Sequence, residues 1–143
     1  IGRILAQAGI EIAGDGTYRL QPISVEDAAR ASIAALTRSG SSHQVVDLVG
    51  PEVLSYRALI HRIASAMGRE VAISERPIEE TIALARKASY FGLRAHDLDC
   101  LLCDEVASPR PVIDLLGAPL EDLDAVIART LGEVRGAGVG ARP

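Results

Sequence analysis

Gly14-Asp15-Gly16-Thr17-Tyr18-Arg19-Leu20-Gln21-Pro22-Ile23-Ser24-Val25-Glu26-Asp27 opens the stretch that decides how this chain is read, and the stretch runs on to Gly68. Asp15-Gly16 is a strong tight-turn signal between the short apolar piece Ile10–Ala13 and Thr17–Leu20, so a small hairpin is expected there. Ser24 stands three residues before Asp27, the spacing of a capping box, in which the hydroxyl and the carboxylate serve the exposed N–H groups of a helix start. Val25, Ala28, Ala29, Ile33 and Leu36 follow at helical intervals, so one apolar face is expected through Thr37. A polar loop, Arg38–Ser42, comes next. The run Val45-Val46-Asp47-Leu48-Val49, stopped by Gly50-Pro51, suits a strand covered on both faces, as in a parallel sheet. Ser55 then caps a second helix whose Tyr56, Leu59, Ile60, Ile63, Ala64 and Met67 share a face, and Gly68 ends it.

Outward from this stretch the pattern becomes helix-rich. Residues 2 to 9 read as the last turns of an incoming helix. Val71–Ser74 reads as a strand, and Pro77 suits the first turn of a helix running to about Tyr90. His96–Asp104 and Val112–Leu116 read as short helices. Pro119 is expected to open the last amphipathic helix, with Leu120, Leu123, Val126, Ile127 and Leu131 on one face. The glycine-rich end, residues 135–143, has no apolar pattern and reads as a disordered tail.

The bulk numbers narrow the function classes. The 143 residues are one domain's length, with 48% hydrophobic and 24% charged residues, an ordinary globular composition. Only 3% is aromatic, so the core must be built from Leu, Ile, Val and Ala. A net charge of -4 argues against a nucleic-acid or anionic-membrane surface, which needs clustered Lys and Arg. No apolar run reaches the roughly 20 residues that span a bilayer. Cys100 and Cys103 give no disulfide framework, so a cytoplasmic location is expected. The chain begins at Ile1 and enters directly into helix-like sequence, which reads as a cut end.

The motifs that carry chemistry are weak or missing. His96-x-x-x-Cys100-x-x-Cys103 shares one helix face, but zinc takes four ligands and His43 and His61 sit in other elements. Buried, inert thiols are the expectation, with no metal. Gly14-x-Gly16 is followed by Arg19 where a dinucleotide fingerprint requires a third glycine, and no crossover helix follows at once. Gly136-x-Gly138-x-Gly140 has no helix after it. None of Tyr18, Tyr56 and Tyr90 has Lys four residues later; Pro22, Ile60 and Arg94 stand there. No catalytic and no cofactor-binding residue is therefore assigned. Asp27 is expected to be a helix-capping carboxylate rather than a reactive group.

The order of turn, strand ending in Gln21-Pro22-Ile23, helix opened by Ser24-Val25-Glu26-Asp27, strand ending in Gly50-Pro51 and second helix resembles the carboxy-terminal half of the extended and atypical short-chain dehydrogenase/reductases, the NAD-dependent epimerase/dehydratase superfamily. Gly50-Pro51-Glu52-Val53-Leu54-Ser55-Tyr56 is similar to that family's Gly-Pro-Glu-x-x-Thr/Ser-Tyr elbow. Gln21-Pro22-Ile23 and Leu101-Leu102-Cys103-Asp104-Glu105-Val106 resemble the group that includes the nucleotide-binding accessory subunit of respiratory complex I. The resemblance covers Gly14 to Leu131.

It implies an α/β fold: the carboxy-terminal part of a Rossmann-type NAD(P)-binding fold, a late sheet strand plus a small helical substrate lobe, helix-rich as an isolated chain. Residues 1–68 would complete the nucleotide-binding fold, and residues 69–134 would form the substrate-side lobe. The parent would bind NAD or NADP as an oxidoreductase, epimerase or dehydratase, or as a non-catalytic subunit. The fingerprint and the catalytic Tyr and Lys lie upstream in the family, so this chain alone is expected to bind no cofactor and to be inactive. Its partner would be the missing amino-terminal half, with a homo-oligomer or a respiratory complex as further partners. The resemblance puts Arg19, Gln21 and Pro22 on the substrate side. It also implies an Arg seven residues before Asp27 in nucleotide-sugar enzymes, yet position 20 is Leu, and Arg19 would point to the opposite side of a strand. The rival reading is a cofactor-free, helix-rich adaptor or non-catalytic subunit that acts in protein–protein assembly.

Overall fold

The computed structural model of the protein describes residues 9–38, 45–87, 98, 100 and 102–136. In chain order they form β1 (Gly9–Ala13), β2 (Arg19–Leu20), α1 (Val25–Thr37), β3 (Leu54–Ser55), α2 (Tyr56–Ala66), β4 (Ala72–Arg76), α3 (Ile78–Lys87), α4 (Arg110–Leu116) and α5 (Leu123–Gly136). Their contacts divide the chain into two compact units that interleave along the sequence. The first comprises residues up to Leu20 and Leu54–Glu105; the second comprises Gln21–Val53 and the residues from Val106 onward. Gly68 lies inside the first.

In the first unit β1 pairs with β4 in parallel, Ile10 beside Ile73 and Ile12 beside Glu75. Ile10 and Ile12 turn inward onto Ile60 of α2, with Tyr56, Val71 and Ile73 around them. These β-branched side chains suit a pleated face packed on a helix. Outside that core, Arg76 grips the Glu11 carboxylate through two bonds of 2.7 and 2.8 Å. The ends of α2 follow the sequence signals. The Ser55 hydroxyl accepts the Ala58 N–H at 3.1 Å. At the other end Gly68 takes a left-handed φ of 68°, and the Arg69 N–H reaches back to the Ala64 carbonyl at 3.0 Å. α3 begins after Pro77 as expected.

In the second unit α1 packs on α4. Ala31 and Val112 are fully buried there, and Leu123, Ile127 and Leu131 form the buried face of α5. Ser24 caps α1, its hydroxyl accepting the Asp27 N–H at 3.0 Å. Gly117 closes α4 with a left-handed φ of 64°.

Five expectations from the sequence need correction. The hairpin around Asp15-Gly16 does not form: β1 finds its partner in β4, and β2 pairs antiparallel with β3. The Asp15-Gly16 turn exists, but it swings the chain away from β1 rather than folding it back. Val45–Val49 pairs with no strand among the described residues, and Val45 lies 94% exposed. A strand needs a ladder partner. The last helix starts at Leu123, not Pro119, because the Asp122 carboxylate accepts the Asp124 N–H and fixes the start there. The large apolar side chains of α1 do not form its buried face: Val25, Ile33 and Leu36 are exposed, while Asp27 and Ala31 are buried. Finally, Cys100 and Cys103 are exposed rather than buried. Leu98 takes the inward position, and its carbonyl accepts the Leu102 N–H at 2.9 Å, leaving the thiols on the other side of that turn. Gly9 belongs to β1 rather than to an incoming helix, and residues 135 and 136 belong to α5 rather than to a tail; the expectations on residues 2 to 8, on His96 and on the tail from residue 137 lie outside the described residues.

Candidate functional site

The resemblance implies a substrate-side role for Arg19, Gln21 and Pro22, of which Arg19 belongs to the first unit and Gln21 and Pro22 to the second. β2 carries Arg19, and its guanidinium is already engaged. Nε and Nη2 reach Asp104 Oδ2 at 2.9 and 2.8 Å, and the Arg19 N–H donates to Asp104 Oδ1 at 2.8 Å. The Arg19 carbonyl accepts the Glu105 N–H at 2.9 Å. Hydrogen bonds from Arg19 hold the Asp104 carboxyl below the usual carboxylate value. Both side chains stay about half exposed, so the pair is a reversible surface contact rather than a buried lock. An anionic ligand reaching Arg19 would have to displace Asp104.

Gln21 is placed differently. It is buried, and both ends of its amide meet backbone. Nε2 donates to the Gly50 carbonyl at 2.8 Å, and Oε1 accepts the Ala107 N–H at 2.9 Å. Its own carbonyl accepts the Gly50 N–H at 3.0 Å. Pro22 completes this junction from the other side. A Cβ on Gly50 would overlap the Pro22 carbonyl, so only glycine lets the two backbones approach this closely. The Gly50-Pro51 signal therefore has a local cause in packing against Gln21-Pro22.

Asp27 is the buried charge of the second unit. Oδ2 accepts the Glu121 N–H at 2.7 Å, and Oδ1 meets the Arg30 guanidinium. Burial pushes the carboxyl up, but the Glu121 N–H and Arg30 outweigh it and hold Asp27 below the usual value. Beside it Arg129 of α5 binds Glu26 through two bonds of 2.7 and 2.8 Å and Glu121 at 2.9 Å. The hydrogen bonds that Arg129 donates to Glu121 and Glu26 raise its pKa, so it stays charged. Helix capping alone did not reveal this network, since Glu121 is 94 residues from Asp27 and no local spacing marks it.

The Gly14-x-Gly16 turn lacks the geometry of a dinucleotide fingerprint. Gly14 and Gly16 both have left-handed φ, but their turn leads into β2 and offers no helix start to a pyrophosphate. The glycines have a packing reason instead, since a Cβ on Gly16 would come within 2.6 Å of Ile12 Cδ1. The start of α2 is likewise occupied. Tyr56 N–H donates to the Tyr18 carbonyl and Arg57 N–H to the Gly16 carbonyl, at 3.0 and 3.1 Å. Tyr18 and Tyr56 stack with ring centroids 5.3 Å apart, and burial raises the Tyr56 pKa. No group of three or more His, Cys, Asp or Glu among the described residues converges as a metal site would. No helix among them is long and apolar enough to cross a membrane.

No protein-family model and no curated protein sequence matches the chain. Solved structures do match it in fold. A region of the NADPH-dependent quinone oxidoreductase of Escherichia coli, solved with NADPH, superposes with a TM-score of 0.66 at 15% identity, covering 85% of this chain and 45% of that one. The triphenylmethane reductase of Citrobacter sp. gives 0.64 at 17% identity, over 85% of this chain and 44% of its own. The UDP-glucuronic acid 4-epimerase of Bacillus cereus, solved with UDP-glucuronic acid and NAD, gives 0.61 at 17% identity, over 90% and 36%. The chain therefore spans less than half the length of these reductases and epimerases. It has an α/β fold, helix-rich with a small parallel sheet, that matches part of their Rossmann-like NAD(P)-binding architecture.

Proposed function

We propose that this chain is the carboxy-terminal part of an NAD(P)-binding reductase- or epimerase-like protein of the short-chain dehydrogenase/reductase type. The observation that carries this reading is the match to NADPH- and NAD-bound enzymes over most of this chain and under half of theirs. The glycine-rich fingerprint and the Tyr and Lys pair then belong to preceding sequence, and this part serves the substrate side. On that view Arg19 is the ligand-facing cation, released from Asp104 when an anionic group arrives. Gln21 and Pro22 hold the backbone junction with Gly50 in the second unit. Within the superfamily, the resemblance of Gln21-Pro22-Ile23 and Leu101-Leu102-Cys103-Asp104-Glu105-Val106 to the complex I accessory-subunit group supports a parent of that group, and two cysteines without a disulfide framework support a cytoplasmic location.

Calorimetric titration of the isolated chain with NADH and NADPH tests the division of labour. No saturable heat is expected. Micromolar binding would overturn the reading, because these residues would then hold a dinucleotide site of their own.

A further inference from the structure

We propose that Cys100 and Cys103 form a thiol–disulfide pair, a site of reversible oxidation whose closure draws Asp104 off Arg19. Both cysteines lie on the surface, where an oxidant can reach them. Burial is what makes a structural thiol inert, and neither has it. Outside an oxidising compartment a Cys-x-x-Cys pair rests as the dithiol, and the disulfides that form there are transient and redox-sensing.

Their backbone is already placed as a disulfide requires. The Cys103 N–H donates to the Cys100 carbonyl at 3.2 Å, the bond of a tight turn. Such a turn brings its first and last Cα within about 7 Å, and a disulfide spans about 4.4–6.8 Å between Cα atoms. The oxidant is a small disulfide. One cysteine thiolate attacks a sulfur of that disulfide and expels half of it as a thiolate, which takes up a proton. The second cysteine then gives up its proton, attacks the sulfur of the first and expels the other half. Two protein thiols and one small disulfide become one protein disulfide and two small thiols, so electrons and protons balance.

Closure has a direction. Residues three apart on a helical turn hold their Cβ atoms about 5–6 Å apart, whereas a disulfide holds them at about 3.8 Å, so an approach of about 1–2 Å is needed. Cys100 has helical backbone close behind the buried Leu98, whose carbonyl accepts the Leu102 N–H at 2.9 Å. Cys103 lies in the bend that follows, so Cys103 is the side that moves. Asp104 is the next residue. Its carboxylate meets the Arg19 N–H at 2.8 Å and the guanidinium at 2.9 and 2.8 Å, and the Glu105 N–H meets the Arg19 carbonyl at 2.9 Å. Lengthening these contacts by about 1 Å carries them past roughly 3.5 Å, where a hydrogen bond is lost. Arg19 is half exposed, so water solvates it as Asp104 leaves. Arg19 is the cation that the function proposed above turns toward a ligand, and oxidation would open it without one. That link rests on the proposed function, whereas the redox pair stands without it.

The test treats the 143-residue chain with oxidised glutathione and then alkylates the remaining thiols. Mass spectrometry should find both thiols lost to alkylation and a monomer two hydrogens lighter, which dithiothreitol restores. Cys100→Ser and Cys103→Ser should each retain one glutathione instead, since neither has a second thiol to expel it. In the oxidised chain, amide exchange at Arg19 and Glu105 should quicken at least about tenfold. The Ala58 N–H, held by Ser55 at the start of α2, should not change. The double variant Cys100→Ser/Cys103→Ser should show no change in exchange under the same treatment. Glutathione retained on both cysteines, chains linked to one another, or thiols that never react would each overturn the pair. A closed disulfide with unchanged exchange at Arg19 and Glu105 would overturn the effect on Asp104. No readout involves a nicotinamide cofactor, so failure here leaves the proposed function standing, and a complete protein that binds no NADPH leaves the redox pair standing.

Discussion

Asp27 Oδ2 accepts the backbone N–H of Glu121 at 2.7 Å, joining the first turn of α1 to the segment ahead of α5 across 94 positions of sequence. With Arg30 on the other oxygen and Arg129 bridging Glu26 and Glu121 alongside, this carboxylate is a tertiary tie of the second unit.

Replacing Asp27 with Asn keeps one oxygen for the Glu121 N–H but turns the N–H₂ toward Arg30. The expected loss is about 1–3 kcal/mol, the range for hydrogen bonds to a buried charged group. Because the carboxylate is buried, high salt should recover little of it. Urea unfolding of Asp27→Asn at low and high salt measures both. An unchanged midpoint would remove Asp27 from the support of the fold.

The same carboxylate sets a pH dependence with a definite sign. Its folded pKa lies below the unfolded value of about 3.9, so its contribution is complete above about pH 4 and is lost as pH falls through the folded value. Thermal melts of the parent should therefore fall more steeply below about pH 4 than those of Asp27→Asn. Parallel curves would contradict the assignment.

Gln21 and Arg19 should separate cleanly. Gln21→Ala leaves the Ala107 N–H and the Gly50 carbonyl without their side-chain partner, and each orphaned group costs about 1–3 kcal/mol. Arg19→Ala removes an exposed pair and should cost under about 1 kcal/mol. Melting curves read the difference, and amide exchange at Ala107 should quicken in Gln21→Ala alone. Equal losses in the two variants would contradict the placement of Gln21 as the structural member of the site.

Gly50→Ala should destabilise the second unit by at least about 1–3 kcal/mol, since the added methyl meets the Pro22 backbone, which cannot swing aside as a side chain can. A neutral shift in melting temperature would show that the two backbones are not held in contact.

Local signals made much of the fold legible. Ser24, Ser55, Pro77 and Gly68 mark helix ends through chemistry that acts within four residues, and each works as its type predicts. What stayed hidden depends on partners far away in sequence. Ile10 meets Ile73 and Gln21 meets Ala107, and neither pairing leaves a spacing that a single chain displays. The apolar periodicity of α1 was visible, but periodicity identifies a face without saying what covers it. Val45–Val49 failed as a strand for the same reason: propensity proposes a strand, and only a neighbour completes it. Resemblance points to Arg19, Gln21 and Pro22, while the division between an exposed Arg19 and a buried Gln21 depends on tertiary packing.

The most direct measurement of the central claim is a fluorescence titration of the complete gene product with NADPH, beside the isolated 143-residue chain. Saturable enhancement of nicotinamide emission in the complete protein and none in the isolated chain is the predicted result. No binding by the complete protein would contradict the account.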